Sequence, residues 1–339
     1  MKVAEALARL IDTLEALEFI ARHMHPPALA QLLTTFGDRD VALREAMVDV
    51  EWPEALRPAI ERAAECTLRA CDGLRQADDL RQVYRALRQV NRALEALYPL
   101  AGALPTVDRL FLAADDRAVG AASTDATTGV LHFDNETDER GGYSVYVPED
   151  YDPANAYPLV MALHGGAGHG RLFLWSWLRE VRGRGVILVA PTATGDTWSL
   201  MEPQVDSGHL GLVLESVARR WSIDRSRLLL TGMSDGGTFT LLSGLDDESP
   251  FTHLAPVAAS FHPLLLAVTE PRRVADLPIY LVHGALDWMF PVSMGRAARQ
   301  ALTAAGAALT YREIADLSHV YPREEGSKIL DWFLVSLRA

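Results

Sequence analysis

The chain has 339 residues, 49% of them hydrophobic and 23% charged, an ordinary balance for a water-soluble globular protein and long enough for two domains. A net charge of −13 argues against a nucleic-acid binder, whose phosphate contacts need clustered Lys and Arg. Glu5, Arg9, Asp12 and Glu15 interrupt the apolar N-terminal segment, and no apolar run of about 18 residues follows, so neither a signal peptide nor a membrane helix is expected and a cytoplasmic location is.

The first hundred residues read as helices. Leu7, Leu10, Ile11, Leu14 and Leu17 recur at three-to-four spacing, as do Val83, Leu87, Val90, Leu94 and Leu97, while Pro26-Pro27 and Trp52-Pro53 mark turns. Cys66 and Cys71 would lie about 8 Å apart along such a helix and on different faces, which predicts two buried thiols and no disulfide. The segment Ala101 to Thr106 marks a boundary, giving a helical domain over 1–104 and a second domain over 105–339. Short strands are expected at Arg109–Ala113, Val130–Phe133 and Tyr143–Val147. From there strands alternate with helices: Leu159–Leu163, Gly185–Ala190, Leu228–Thr231, Ala255–Ser260, Pro278–Val282 and Ala308–Ile314, with a last helix from Ser327 to Leu337. That alternation predicts an α/β class domain whose mostly parallel sheet is covered by helices on both faces.

The apolar run Leu228 to Thr231 delivers Ser234 between Gly232 and Gly236, in the G-x-S-x-G spacing. Such a serine sits on a sharp strand-to-helix turn, where the glycines let neighbouring backbone pass and the hydroxyl stands exposed at the end of the sheet. Asp287 follows the strand-His283-Gly284 segment, and His319 follows the last strand. The order Ser234, Asp287, His319 is that of an α/β-hydrolase triad, with each group at the C-terminal end of a strand, where open parallel sheets place ligands.

The roles follow from chemistry. A serine hydroxyl needs a base to become a nucleophile. His319 takes that proton and returns it to the leaving group. Asp287 orients the imidazole; Asp316, Asp246 and Asp247 are its competitors by position. The backbone N–H groups of Asp235 and Gly166 are the candidate oxyanion donors, and Gly165 permits close approach of substrate. His164 and His283, each ending an apolar strand, are read as loop supports, and His262 as a pocket border or packing residue. Trp175, Trp177, Trp198, Trp288 and Phe290 flank the site in sequence, with Trp198 and Trp288 taken as substrate-binding. No metal-ligand spacing and no dinucleotide or phosphate loop is present in the sequence, so neither a metal nor a cofactor is called for.

From about Gly141 onward the chain resembles the α/β-hydrolase serine esterases, most closely the group of polyhydroxybutyrate-depolymerase-like enzymes, feruloyl esterases and small carboxylesterases. The resemblance lies in Tyr143 to Pro148, Tyr157 to Val160, His164-Gly165-Gly166, Ala190-Pro191, Gly232 to Gly237, His283-Gly284 with Asp287, and Ser318-His319. It implies an α/β-hydrolase fold and hydrolysis of a small carboxylic ester through an acyl-enzyme. Secreted depolymerases of this resemblance often carry a disulfide near the oxyanion loop, and neither cysteine lies there. A peptidase or thioesterase of the same fold stays open, as does an inert hydrolase-like binding protein. No nucleic-acid or membrane partner is expected. The helical extension is open between a cover for the site and a homo-oligomer interface.

Overall fold

The computed structural model describes residues 2–113 and 127–335, and the chain divides into two compact units, residues 1–122 and 123–339. The first is helical: α1 (Lys2–His23), α2 (Leu29–Phe36), α3 (Arg39–Met47), α4 (Arg57–Arg75), α5 (Leu80–Leu97) and a short α6 (Pro105–Asp108). Leu7, Leu10, Ile11, Leu14 and Leu17 form the buried face of α1, and Val83, Val90, Leu94 and Leu97 that of α5, as their spacing requires. Asp79 caps α5 by accepting the Gln82 N–H at 2.8 Å. Cys66 and Cys71 are buried free thiols on α4, and burial pushes the Cys71 thiol up to about 12.

One expected strand is absent. Arg109–Phe111 is a turn of 3₁₀ helix continuing from α6, not the start of a strand at Arg109–Ala113. Pro105 occupies the first helical turn, Asp108 accepts the Gly102 N–H at 3.0 Å, and Phe111 is buried edge-on against Tyr98, 5.5 Å between centroids. These local contacts wind the segment back onto the helical unit, downstream of the composition change at residue 104. No helix among the described residues is long and apolar enough to cross a membrane.

The second unit has the α/β-hydrolase fold. Its eight strands are β1 (Gly129–Phe133), β2 (Tyr143–Val147), β3 (Tyr157–Leu163), β4 (Ile187–Pro191), β5 (Ile223–Met233), β6 (His253–Val257), β7 (Pro278–Gly284) and β8 (Ala308–Ile314), in the order β1-β2-β4-β3-β5-β6-β7-β8. The β1–β2 and β2–β4 pairs are antiparallel and the rest are parallel. Between them run α7 (Gly170–Phe173), α8 (Leu178–Val181), α9 (Pro203–Ala218), α10 (Asp235–Gly244), α11 (Leu264–Val268), α12 (Pro271–Val274), α13 (Val292–Ala304) and α14 (Arg323–Val335). Leu337, the expected end of the last helix, lies outside the described residues.

Strands β2, β4 and β6 are buried at every position, and they read as apolar except at Ser144 of β2 and His253 of β6, which are buried polar residues. Burying each such Val, Leu or Ile side chain stabilises the sheet by roughly 1.5–3 kcal/mol. Strand β5 is longer than its apolar run. It begins at Ile223 with a half-exposed, polar first half and is buried from Leu228 to Gly232. Strand β6 starts earlier than expected and stops at Val257, because Ala258 turns to φ 46° and ends the ladder.

Candidate active site

The central strand β5 carries Ser234. Gly232 pairs with Leu163 of β3 on one side and Pro256 of β6 on the other, so the chain leaves the sheet between two parallel neighbours. Ser234 has φ 59° and ψ −120°, a conformation side chains rarely adopt, and its N–H donates to Val257 O at 3.0 Å. Its carbonyl accepts the Thr238 N–H at 2.8 Å and thereby begins α10. The turn is tight enough that a Cβ on Gly232 would collide with the Gly236 carbonyl, and one on Gly236 with those of Leu163 and His164. The two glycines of the motif are therefore required by backbone contact rather than by positive φ.

Asp287 and His319 reach the serine from the ends of two other strands. After β7 the chain turns at Asp287, whose Oδ1 accepts the N–H groups of Met289 at 2.9 Å and Phe290 at 2.7 Å. Its Oδ2 accepts from His319 Nδ1 at 2.8 Å. Because an ionised carboxylate only accepts, His319 carries its proton on Nδ1, which leaves Nε2 as acceptor for the Ser234 hydroxyl at 2.9 Å. All three side chains are buried, Ser234 being 7% exposed. Low local dielectric strengthens each of these bonds.

The competitors for the acid are elsewhere. Asp316, Asp246 and Asp247 are exposed; Asp247 pairs with Arg272, and Asp246 accepts the Glu248 N–H. His262 is exposed too, and its Nδ1 closes a turn with the Leu264 N–H at 3.2 Å.

The loop after β3 faces the serine. A Cβ on Gly165 would stand 3.5 Å from Ser234 Cβ, and one on Gly166 would stand 2.7 Å from Asp235 Oδ2. Both residues of the expected oxyanion pair, Gly166 and Asp235, thus lie side by side. His164 braces this loop from beneath: Nε2 accepts the Ala193 N–H at 3.1 Å, so Nδ1–H donates to Gly165 O at 2.8 Å. His283 braces the acid turn in the same manner, with Nε2 donating to Phe290 O at 2.8 Å and lying 3.6 Å from Asp287 Oδ2.

The aromatic residues divide. Trp198 is only 1% exposed; it stacks on Phe239 at 5.3 Å and donates its indole N–H to His164 O at 2.7 Å. It supports the loop behind the site instead of lining a substrate surface, which corrects the substrate-binding role expected for it. Trp175 and Trp177 are likewise core residues. Trp288 is 40% exposed, edge-on to His319 with centroids 6.5 Å apart, and half-buried Phe290 is edge-on at 5.1 Å. These two aromatics border the imidazole.

Two contributors carried no sequence signal. Arg140 donates Nη1 to Gly168 O at 2.7 Å and Nε to Gly195 O at 2.8 Å, clamping the loop after β3 to the loop after β4. Thr197 donates its hydroxyl to Asp235 Oδ2 at 2.6 Å. Among the described residues no group of three or more His, Cys, Asp or Glu side chains is arranged to hold a metal ion.

Residues 204–335, which include Ser234, Asp287 and His319, match the family model described as Phospholipase/Carboxylesterase. The chain is 24% identical over 236 residues to dipeptidyl-peptidase 5 of Aspergillus oryzae, covering 56% of this chain and 33% of that protein. It is 26% identical over 147 residues to the bifunctional acetylxylan esterase/xylanase XynS20E of Neocallimastix patriciarum, covering 42% and 21%. The chain thus spans about a third or less of the length of these curated relatives. Among solved structures, the bifunctional GH43-CE protein of Bacteroides eggerthii superposes with a TM-score of 0.52 at 14% identity, over 62% of this chain and 36% of that one. The esterase Est2 of Thermogutta terrifontis gives 0.48 at 16% identity, over 63% and 96%. The first of these shares the fold.

Proposed function

We propose that this member of the α/β-hydrolase superfamily hydrolyses small carboxylic esters through an acyl-enzyme on Ser234. The observation that carries this reading is the hydrogen-bond chain from Ser234 Oγ through His319 to Asp287, 2.9 and 2.8 Å long, drawn from the ends of three different strands. His319 Nε2 takes the hydroxyl proton as Oγ attacks the ester carbonyl. The negative charge that develops on the carbonyl oxygen is met by the N–H groups of Asp235 and Gly166. Asp287 keeps the imidazole in its acceptor tautomer and stabilises the imidazolium. When the tetrahedral adduct collapses, the proton passes from Nε2 to the departing alcohol. Water, deprotonated by the same nitrogen, then attacks the acyl group and restores Ser234.

Peptide bonds are a second substrate class, favoured by the likeness to dipeptidyl-peptidase 5. The same steps serve an amide, with the proton delivered to an amine.

The test is hydrolysis of p-nitrophenyl esters of graded acyl length beside aminoacyl p-nitroanilides, with wild type and Ser234→Ala compared. Ester turnover lost in the variant, with little anilide cleavage, supports the esterase reading. Wild type that neither turns over esters nor is labelled at Ser234 by a fluorophosphonate rejects it.

A further inference from the structure

Asp235 brings a negative charge where the proposed chemistry least tolerates one. It follows the nucleophile, and its own N–H is one of the two oxyanion donors assigned above. Its side chain is half-buried and turned back onto the other donor: a Cβ on Gly166 would stand 2.7 Å from Oδ2 and 3.4 Å from Cγ. The carboxylate therefore lies against the backbone of the oxyanion loop. It also sits in the first turn of α10, whose positive end would otherwise favour the developing oxyanion.

Nothing among the described residues neutralises that charge. Among the described residues Asp235 forms no ion pair, and its one side-chain partner is the neutral Thr197 hydroxyl at 2.6 Å. Arg140, the cation of the neighbouring loops, directs its donors to the carbonyls of Gly168 and Gly195. The loop that supplies Thr197 carries a further carboxylate, Asp196, exposed to solvent. Tying Thr197 to the serine turn needs only an acceptor, which an asparagine would provide. The charge itself is left for the substrate to answer.

We infer that Asp235 is a specificity-determining residue that selects esters bearing a cationic group within a few bonds of the scissile carbonyl, an inference that rests on the esterase reading above. With a neutral ester, the carboxylate repels the oxyanion and slows acylation. An ammonium group on the substrate pairs with the carboxylate and relieves that repulsion, so discrimination appears in kcat/KM.

The experiment uses matched pairs that differ by N⁺ for C. Choline and 3,3-dimethylbutyl esters of one acid place the charge on the alcohol side. The p-nitrophenyl esters of trimethylglycine and 3,3-dimethylbutanoic acid place it on the acyl side, each rate being divided by that of spontaneous hydrolysis. Wild type should favour the cationic member of at least one pair by about tenfold in kcat/KM, less so at high salt. In Asp235→Asn that ratio should fall toward one, chiefly because the neutral ester reacts faster. Equal rates within both pairs in wild type, or a preference that survives in Asp235→Asn, overturns the inference. Labelling of Ser234 by a neutral fluorophosphonate separates the two levels. A labelled enzyme without charge preference refutes this inference alone, whereas an enzyme neither labelled nor active on any ester removes it together with the esterase reading.

Discussion

Gly284, the last residue of β7, passes beneath Leu317 so closely that a Cβ there would collide with the Leu317 carbonyl oxygen. The same carbonyl accepts the Leu286 N–H at 2.9 Å. Gly284 thereby lets the turn that carries Asp287 lie against the turn that carries His319. A Gly284→Ala variant must therefore push these turns apart by the better part of an ångström. Overpacking of this kind costs about 1–3 kcal/mol of stability. A comparable displacement of a reacting group costs about a hundredfold in rate. Ester turnover and the rate of fluorophosphonate labelling should both fall by that order, while urea unfolding shows the smaller loss in a still folded protein. A labelling rate equal to wild type would mean that the two turns are not mechanically coupled.

His283 extends the argument one residue back. It is buried, and Nε2–H is the donor to Phe290 O at 2.8 Å, closing the turn that supplies two N–H groups to Asp287. His283→Leu leaves the Phe290 carbonyl without its partner, a loss of about 1–3 kcal/mol. It should lower kcat about tenfold with little change in KM, because His283 is fully buried and acts only through the acid that its turn orients. His283→Gln, which retains a side-chain N–H donor, should recover most of both. Equal defects in Leu and Gln would show that volume, and not the hydrogen bond, is what the position requires.

How much of this was legible in the sequence depends on the range of the forces involved. The parallel strands could be read because burial on both faces writes an apolar run into β3, β4, β6 and β7. Their ends could not, since Ala258 leaves the β region for reasons set by its neighbours in space. Ser234, His319 and Asp287 could be located because a strand-to-helix turn and chain order constrain residue types locally. Trp198 was misjudged because sequence adjacency does not distinguish a tryptophan facing solvent from one packed on Phe239 and bonded to His164. Arg140 could not be found at all: the carbonyls it holds lie 28 and 55 residues away, and any arginine in a polar loop looks the same.

Acid should weaken this fold well before its carboxylates titrate. Burial pushes the imidazoles of His132 and His253 down to about 4 from the ordinary 6.5. Above pH 6.5 both are neutral folded or unfolded, and they contribute no pH dependence. Between about 6.5 and 4 the unfolded chain binds protons at these positions and the folded chain does not, so stability falls as pH falls. Two such groups give a slope approaching ~2.7 kcal/mol per pH unit in the middle of that window. Urea unfolding at pH 7.5, 6 and 5 should show the decline. His253→Phe, which keeps a ring against Trp332 and Phe333, should roughly halve the slope if these two imidazoles dominate it. A slope unchanged by that substitution would assign the acid sensitivity to other groups.

The serine turn offers the sharpest energetic test, because two inactive variants should differ in opposite senses from what side-chain volume suggests. Ser234 is held at φ 59° and ψ −120°, a region that costs a residue with a Cβ about 1–3 kcal/mol and glycine very little. Ser234→Ala keeps that strain, and Ser234→Gly releases it. Both lose the bond to His319 equally. Glycine gives back about 0.4–1 kcal/mol through the greater freedom of its unfolded chain. The strain term is the larger, so Ser234→Gly should be more stable than Ser234→Ala by about 0.5–2 kcal/mol, measured as urea midpoints at a common m-value. Alanine equal to or more stable than glycine would mean that the turn is relaxed, and that the fold spends no stability on presenting its nucleophile.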